Sequence, residues 1–227
     1  MNYWIIIPAA GIGKRMGTEI PKQYLKLGEQ TVLEHTIQRF QNLPQIKGIV
    51  VCVAPDDLYF EKLAISKQVM ITNGGKERCD SVLNGLKYLE QYAEENDWIL
   101  VHDAARPCIR KSDIEKLMFE LQNHEVGGLL AVPVRDTMKR AKNQRVEMTI
   151  NRENLWHALT PQMFRFKTLK TALETTLEKQ QMITDEAQAI EFLGLSPMLI
   201  EGHADNIKIT HPNDLQLATL FISNLLN

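Results

Sequence analysis

The sequence has few cysteines and lacks any long apolar segment. Its three cysteines, Cys52, Cys79 and Cys108, lie far apart and form no CxxC pair, which argues against a disulfide framework and against a zinc ribbon. We therefore expect a reducing, cytoplasmic environment. There is no run of about 18 apolar residues, and no basic segment precedes the short apolar run near the N-terminus, so we expect neither a membrane span nor export.

An excess of charge of either sign is also missing. The chain has 26 Lys and Arg against 28 Asp and Glu, a net charge of −2, and 44% of its residues are hydrophobic. These values are ordinary for a soluble globular protein and do not suggest a nucleic-acid or membrane surface. Because 227 residues can bury one sizeable core, we expect a single domain over residues 1–227.

Several functional signatures are absent too. There is no GxSxG element and no DxDxDG loop, which argues against hydrolysis through a nucleophilic serine and against an EF-hand calcium site. There is no HExxH sequence and no second histidine at ligand spacing from His102, so this histidine is expected to be packed and hydrogen-bonded rather than a metal ligand.

What the sequence does contain is a regular alternation of short apolar runs and amphipathic helical patterns. This predicts an α/β fold, in which a mostly parallel sheet is flanked by helices. The expected strands are 3–7, 49–54, 69–72, 98–101, 129–134, 197–201 and 206–210. Ser112 and Thr184 are expected to be the N-caps of two helices, since hydroxyl side chains satisfy free N–H groups there.

Residues 138–152 differ in composition from the rest of the chain, because they are mostly polar and charged. Val146, Met148 and Ile150 alternate with polar residues, which predicts a β-hairpin that buries little within its own domain. Two interpretations are open, a solvated surface hairpin or an arm that contacts a second subunit. We expect the arm, and with it a homodimer.

The stretch from Pro8 to Tyr24, PAAGIGKRMGTEIPKQY, follows the first apolar run. It is not a Walker loop, because Gly13-Lys14 is followed by Arg15, and it is not GxGxxG, because Gly17 comes one residue too late. For the glycines alone, a tight turn is the plain alternative. Lys14, Arg15 and Lys22 would repel one another without an anion among them, so the stretch predicts binding of a nucleoside triphosphate.

Other candidate residues follow predicted strands or begin helices. His102-Asp103 stands at a strand end, the usual site position in an open α/β sheet, and Asp103 is placed to position a metal ion or a substrate hydroxyl. Arg106 is either part of this site or a structural partner of Asp103. Ser81 either caps its helix or contacts the nucleotide. Lys208, between two isoleucines, is by default a solvated lysine.

With these residues in view, the chain closely resembles the 2-C-methyl-D-erythritol 4-phosphate cytidylyltransferases of the non-mevalonate isoprenoid pathway. The segments that carry the resemblance are PAAGIGKRM (8–16), PKQY (21–24), HDAARP (102–107), PVRDTMKR (133–140), NRENLWHALTPQMF (151–164), TDEA (184–187) and DNIKIT (205–210). The resemblance implies a Rossmann-like sheet and a β-arm that interlocks two subunits. It also implies transfer of a cytidylyl group from CTP to 2-C-methyl-D-erythritol 4-phosphate.

Residue roles follow from the same resemblance. It implies that Arg15 and Lys22 stabilise charge on the α-phosphate of CTP, and that Lys208 and the partner's copy of Arg152 position the methylerythritol phosphate. Residues implied to line the cytidine and triphosphate site, together with Lys14, are Ala9, Ala10, Gly11, Gly13, Gly74 and Ser81. Residues implied to face the sugar phosphate are Asp103, Arg106, Thr137, Thr160 and Thr184.

The resembling family also implies assistance by Mg²⁺, which keeps its hydration shell readily and is expected to be held largely by phosphate and water. Lys76 departs from relatives that carry an acidic residue there, and we do not assign it to the site. Two other functions stay open at this stage. One is cytidylyl transfer to another polyol phosphate such as ribitol 5-phosphate, and the other is a regulatory module that binds a nucleotide without turnover.

Overall fold

The computed structural model describes residues 1–13, 16–17, 20–65 and 69–226, and side chains up to residue 223. Its strands are β1 (Tyr3–Pro8), β2 (Lys26–Leu27), β3 (Gln30–Thr31), β4 (Ile46–Val53), β5 (Val69–Asn73), β6 (Trp98–Val101), β7 (Gly127–Pro133), β8 (Met138–Lys142), β9 (Arg145–Ile150), β10 (Trp156–Arg165) and β11 (Met198–Glu201). Its α-helices are α1 (Val32–Gln41), α2 (Arg78–Leu89), α3 (Lys111–Leu121), α4 (Phe166–Glu178), α5 (Glu186–Phe192) and α6 (Pro212–Leu226).

A seven-stranded sheet forms the centre, in the spatial order β11-β7-β10-β6-β1-β4-β5. Strand β10 runs antiparallel to both of its neighbours, and the other adjacent pairs are parallel. The mostly parallel α/β sheet is therefore confirmed. The strand order reverses at β1, because the chain continues to β4 on one side and returns to β6 on the other. In open sheets, such a reversal opens a crevice at the carboxyl ends of the strands.

Helices cover both faces of the sheet, and β1 shows how the sequence divides them. Ile5 and Ile7 pack in the same core as α1 and α3, whereas Trp4 and Ile6 pack in the core of α2, α4 and α5. All four side chains are buried. A strand buried on both faces needs such an unbroken apolar run, and each of these side chains contributes about 1.5–3 kcal/mol by leaving water.

A third, smaller core lies beyond the carboxyl ends of the strands. Ala218 and Ile222 of α6 pack there with Cys108 and Ile209. Through Ile207 and Ile209 this core anchors the segment 205–210 beside the loop that follows β6. The predicted final helix thus fastens a segment that carries Lys208.

Three local predictions are wrong. Residues 206–210 form no strand, because their backbone bonds to the loop after β6 rather than to a ladder, with Ile209 N donating to Ala105 O. Helix α3 begins at Lys111, so Ser112 lies inside its first turn and Arg110 takes the N-cap position. In α5 the N-cap is Asp185, whose carboxylate accepts from the Gln188 N–H, and not Thr184.

The predicted hairpin is confirmed as β8 and β9, which form a separate two-stranded sheet. Its apolar side chains are uncovered in the single chain, with Val146 63% and Met148 50% exposed. The contact with a second subunit stays a prediction. Within the described part of the chain, no helix combines the length and the apolar character that crossing a bilayer requires.

Candidate active site

A cavity of about 240 Å³ opens at the carboxyl ends of β1 and β6. It is lined by Pro8, Ala9, Ala10, Gly11, Lys22, Gln23, Gly75, Lys76, Glu77, Arg78, Ser81, Asp103, Ala104, Ala105 and Lys208. Seven residues assigned from the sequence therefore meet in one place: Ala9, Ala10, Gly11, Lys22, Ser81, Asp103 and Lys208. They come from four separate regions of the chain.

The loop after β1 is held by the side chain of Gln23. This buried amide donates from Nε2 to the carbonyl oxygens of Ala9, at 2.6 Å, and Gly11, at 3.1 Å. Two carbonyls of the loop are thus bonded to protein. Because a cradle for phosphate works through peptide N–H groups, this arrangement suits the loop to an anion.

The opposite wall is the turn between β5 and α2, which approaches the first loop closely. A Cβ on Gly74 would lie 2.4 Å from the Cβ of Ala10, so a larger residue does not fit between the two segments. Ser81 shapes the same turn, since its Oγ accepts from Gly75 N at 3.0 Å and donates to Glu77 O at 3.2 Å. Gly74 lies beneath Ala10, and its neighbour Gly75 lines the cavity.

The side chain of Lys22 lines the cavity next to the β1 loop. Its Nζ donates to the carbonyl of Ile209 at 2.8 Å, which links the loop to the segment that carries Lys208. Gly13 adopts a φ of +73°, and a Cβ there would meet the Lys22 side chain at 2.9 Å. Lys14 and Arg15 lie outside the described residues, so their predicted roles stay predictions.

Asp103 lies at the centre of a cluster of three cations. Its Oδ1 accepts from Arg78 Nε at 2.9 Å, and its Oδ2 accepts from Lys208 Nζ at 2.9 Å. Arg106 Nε stands 3.4 Å from the same Oδ2. Burial by itself would raise the pKa of Asp103, but Arg78, Lys208 and Arg106 outweigh it and hold that pKa well below its usual range. The carboxyl group is therefore ionised and acts as an acceptor.

Arg106 takes part in holding the segment across the cavity edge. Its Nη1 donates to Asn206 O at 2.6 Å, and the side-chain amide of Asn206 donates to Thr160 O at 2.8 Å. Arg106 and Thr160 are buried and do not line the cavity. In the single chain, Arg106 and Thr160 help to position Lys208 and Asp103 without lining the cavity themselves.

His102 is packed and hydrogen-bonded, as predicted. The Thr160 hydroxyl accepts from Asp103 N and lies 3.1 Å from His102 Nδ1, while His102 Nε2 lies 3.0 Å from Arg106 O. The Arg106 carbonyl oxygen can only accept, so His102 Nε2 carries the ring proton and donates to it. His102 Nδ1 then accepts from the Thr160 hydroxyl. Complete burial lowers the pKa of His102 to about 4, so the ring is neutral near pH 7.

Three of the assigned residues lie away from the cavity of their own chain. Thr137 and Arg152 are exposed at the base of the hairpin, where the Arg152 guanidinium donates to the Arg135 carbonyl. Thr184 lines a second pocket beside α5, and its backbone N and its Oγ1 both donate hydrogen bonds to Gln188 Oε1.

Sequence reasoning missed three residues that organise the site, namely Gln23, Arg78 and Glu186. Arg78 begins α2 and joins Asp103 to Glu186, whose two carboxylate oxygens accept from Nη1 at 2.5 Å and Nη2 at 3.0 Å. A signal for Arg78 was available, because a cation in the first turn of a helix is disfavoured by the helix dipole and needs anionic partners. Gln23 and Glu186 lie within the segments PKQY and TDEA that carry the resemblance, but no chemical signal of this kind marked either residue.

The described residues contain no cluster of three His, Cys, Asp or Glu side chains arranged to hold a metal ion. In the cavity wall, Asp103 is engaged by cations and the other carboxylate is the exposed Glu77. The donor set therefore suits a metal that arrives with a polyphosphate better than one held in a protein cage.

Comparison with known proteins decides the family. The family model described as 2-C-methyl-D-erythritol 4-phosphate cytidylyltransferase matches residues 3–224. The chain belongs to this cytidylyltransferase family. A curated relative of that name from Hahella chejuensis is 52% identical over 226 residues, which cover 98% of this chain and 94% of the relative. One from Vibrio atlanticus is 50% identical over 220 residues, covering 96% and 94%.

Solved structures of the cytidylyltransferase family share the fold. The crystal structure of the Francisella tularensis 2-C-methyl-D-erythritol 4-phosphate cytidylyltransferase superposes with a TM-score of 0.85 at 36% identity, covering 97% of this chain and all of the other. A structure titled 4-diphosphocytidyl-2C-methyl-D-erythritol synthase gives a TM-score of 0.86 at 39% identity, covering 97% of this chain and 99% of the other. Cytidylyltransferases are nucleotidyltransferases, a class that generally uses a divalent metal.

Proposed function

We propose that the cavity at the ends of β1 and β6 is where this cytidylyltransferase joins its two substrates. The reaction transfers a cytidylyl group from CTP to 2-C-methyl-D-erythritol 4-phosphate and releases pyrophosphate. The observation that carries the assignment is the composition of the wall. Backbone of the β1 loop and the side chains of Lys22 and Lys208 line the same cavity.

The chemistry requires a new bond between the acceptor's phosphate oxygen and the α-phosphorus of CTP, while the bond from that phosphorus to the β-phosphate oxygen breaks. A phosphate monoester oxygen is already a nucleophile and needs no general base. Asp103 is not suited to act as a general base either, because a carboxylate paired with three cations is a weak base. Rate enhancement then comes from in-line placement and from neutralisation of charge.

Lys22 and Lys208 would neutralise charge at two different points. We assign Lys22, beside the β1 loop, to the α-phosphate of CTP, together with Arg15. We assign Lys208, which is paired with Asp103, to the acceptor phosphate. The remaining lone pair on Oδ1 of Asp103 is then available to a hydroxyl of the sugar.

We assign the divalent metal as Mg²⁺ accompanying the triphosphate. When bound, Mg²⁺ would supply further charge neutralisation on the phosphate oxygens. Lys22 and the backbone N–H groups of the β1 loop would bind and orient the same phosphates.

The acceptor site needs a second subunit in this proposal. Thr137 and Arg152 lie at the base of the exposed hairpin and outside the cavity of their own chain. A partner's hairpin would bring its Arg152 to the methylerythritol phosphate, and its apolar side chains would be covered by the contact. The proposed trans role of Arg152 therefore requires the homodimer.

The direct test is pyrophosphate release from CTP and Mg²⁺ with each of two acceptors, 2-C-methyl-D-erythritol 4-phosphate and ribitol 5-phosphate. We expect turnover with the methylerythritol phosphate and little with ribitol phosphate. Faster release with ribitol phosphate would overturn the acceptor assignment. CTP binding without release from either acceptor would instead support a regulatory module.

A further inference from the structure

Arg78 occupies a position between two carboxylates that no sequence motif assigned. Its Nε donates to Asp103 Oδ1 at 2.9 Å, and Nη1 and Nη2 donate to the two oxygens of Glu186. Glu186 is completely buried, and the Arg78 side chain is 26% exposed at the cavity wall. One planar guanidinium therefore fixes the direction of two acids, one from the loop after β6 and one from the start of α5.

We infer that Arg78 is a positioning residue for the acceptor: it orients the Asp103 carboxylate, and Glu186 holds Arg78 in place from outside the cavity. The inference rests on the proposed function, in which Asp103 faces the sugar phosphate. Glu186 does not line this cavity; it borders the second pocket together with Thr184, but its side chain is completely buried, so we expect it to act on the acceptor through Arg78.

The geometry favours this role over simple charge balance. Three cations already face Asp103, and two of them, Lys208 and Arg106, share Oδ2. Arg78 is the partner of Oδ1 and so sets the rotation of the carboxylate about its own axis. A lysine at this position would keep the positive charge but lose the fork that reaches both acids, because an ammonium group is a point donor.

The first experiment compares the kinetics of Arg78→Lys and Glu186→Gln with the unchanged protein. Losing a charge-assisted hydrogen bond on a substrate-binding group typically costs about 10- to 100-fold. We expect Arg78→Lys to raise KM for the methylerythritol phosphate by about that factor and Glu186→Gln by less, with KM for CTP within about twofold in both. Arg165→Lys is the matched control, since Arg165 is also a partly buried arginine but bonds to carbonyls at the other end of β6.

A second variant separates positioning from folding, because Arg78→Met alone leaves Glu186 buried and unpaired. Replacing a whole buried ion pair with apolar residues of similar size is often neutral for stability. We expect Arg78→Met/Glu186→Met to melt near the unchanged protein and still to show the raised KM for the acceptor. If the double variant or Arg78→Lys has an unchanged acceptor KM, or if KM for CTP rises equally, the inference is wrong. Failure of the proposed function is distinct, because then the unchanged protein itself releases no pyrophosphate.

Discussion

The Lys208 ammonium lies 2.9 Å from Oδ2 of Asp103, although the two residues are far apart in the sequence. Both residues line the cavity, and the pair joins the loop after β6 to the segment 205–210, which packs against α6. Lys208 is 38% exposed on this side, so it can meet a phosphate and still be oriented by the carboxylate. A lysine that looks merely solvated in the sequence is thus held at the site.

Lys208→Ala is expected to leave CTP binding intact and to lower turnover by about 10²–10³-fold, the usual effect of removing one charge-stabilising donor. Calorimetry with CTP and pyrophosphate release would be measured on the same sample. Lys167→Ala is the control, because Lys167 forms an exposed ion pair with Glu95. Turnover close to that of the unchanged protein would remove Lys208 from the reaction.

Gln23→Leu is expected to raise KM for CTP, because the carbonyls of Ala9 and Gly11 lose their donor and the β1 loop can turn them toward the triphosphate. The Ala9 carbonyl is the buried one of the two, and leaving one buried acceptor unpaired typically costs about 1–3 kcal/mol, or roughly 5- to 150-fold in binding. Gln122→Leu serves as control, since the Gln122 amide bonds to Phe119 O on the surface. An unchanged KM for CTP would show that the loop holds its shape without Gln23.

The trans role of Arg152 can be tested by mixing two inactive variants, Arg152→Ala and Lys208→Ala. In a mixed dimer, one site combines an intact Lys208 with the partner's intact Arg152, so random exchange should restore about a quarter of the full activity. If Arg152 acts within its own chain, neither site of the mixed dimer is complete and no activity returns. Light scattering before mixing should give a dimer, and an active monomer would contradict the proposal.

His102 should make the protein sensitive to mild acid. Its folded pKa of about 4 lies below the ordinary value of 6.5, so the unfolded chain binds a proton first as the pH falls. Stability from this group is complete above about pH 6.5 and is lost between there and about pH 4, by roughly 2–3 kcal/mol at pH 4.5. Urea unfolding of the unchanged protein should show this loss between pH 7.5 and 4.5, and His102→Gln should not. Parallel losses in both proteins would contradict a neutral, buried ring.

Much of the fold could be predicted because its cause is local. The run Trp4 to Ile7 is apolar without interruption, and such a run is stable only in a strand that is covered on both faces. The same reasoning located β6 and the α/β class. It failed for residues 206–210, which alternate like a strand but find their hydrogen-bond partners in Ala105, Arg106 and Lys22 instead of in a neighbouring strand.

Some residues of the candidate site could likewise be predicted from local sequence patterns, and others could not. Local patterns in the sequence marked the β1 loop and Asp103, since glycines, clustered cations and a strand end each have a chemical reason that can be read locally. Lys208 was assigned only through the resemblance to the family. Gln23 and Glu186 had no such mark, because an amide and a first-turn acid are ordinary in a sequence until their partners are known.

The sequence by itself thus determined the class of fold and the resemblance to the cytidylyltransferases, because these depend on the order of residue types along the chain. Phosphate binding by the first loop stays a prediction. Only the tertiary structure decided that Arg78 joins Asp103 to Glu186, that Arg106 supports the site from behind, and that Thr137 and Arg152 stand away from the cavity of their own chain. The physical reason is distance. Ion pairs and buried hydrogen bonds depend on separations of about 3 Å between residues that the chain order keeps far apart.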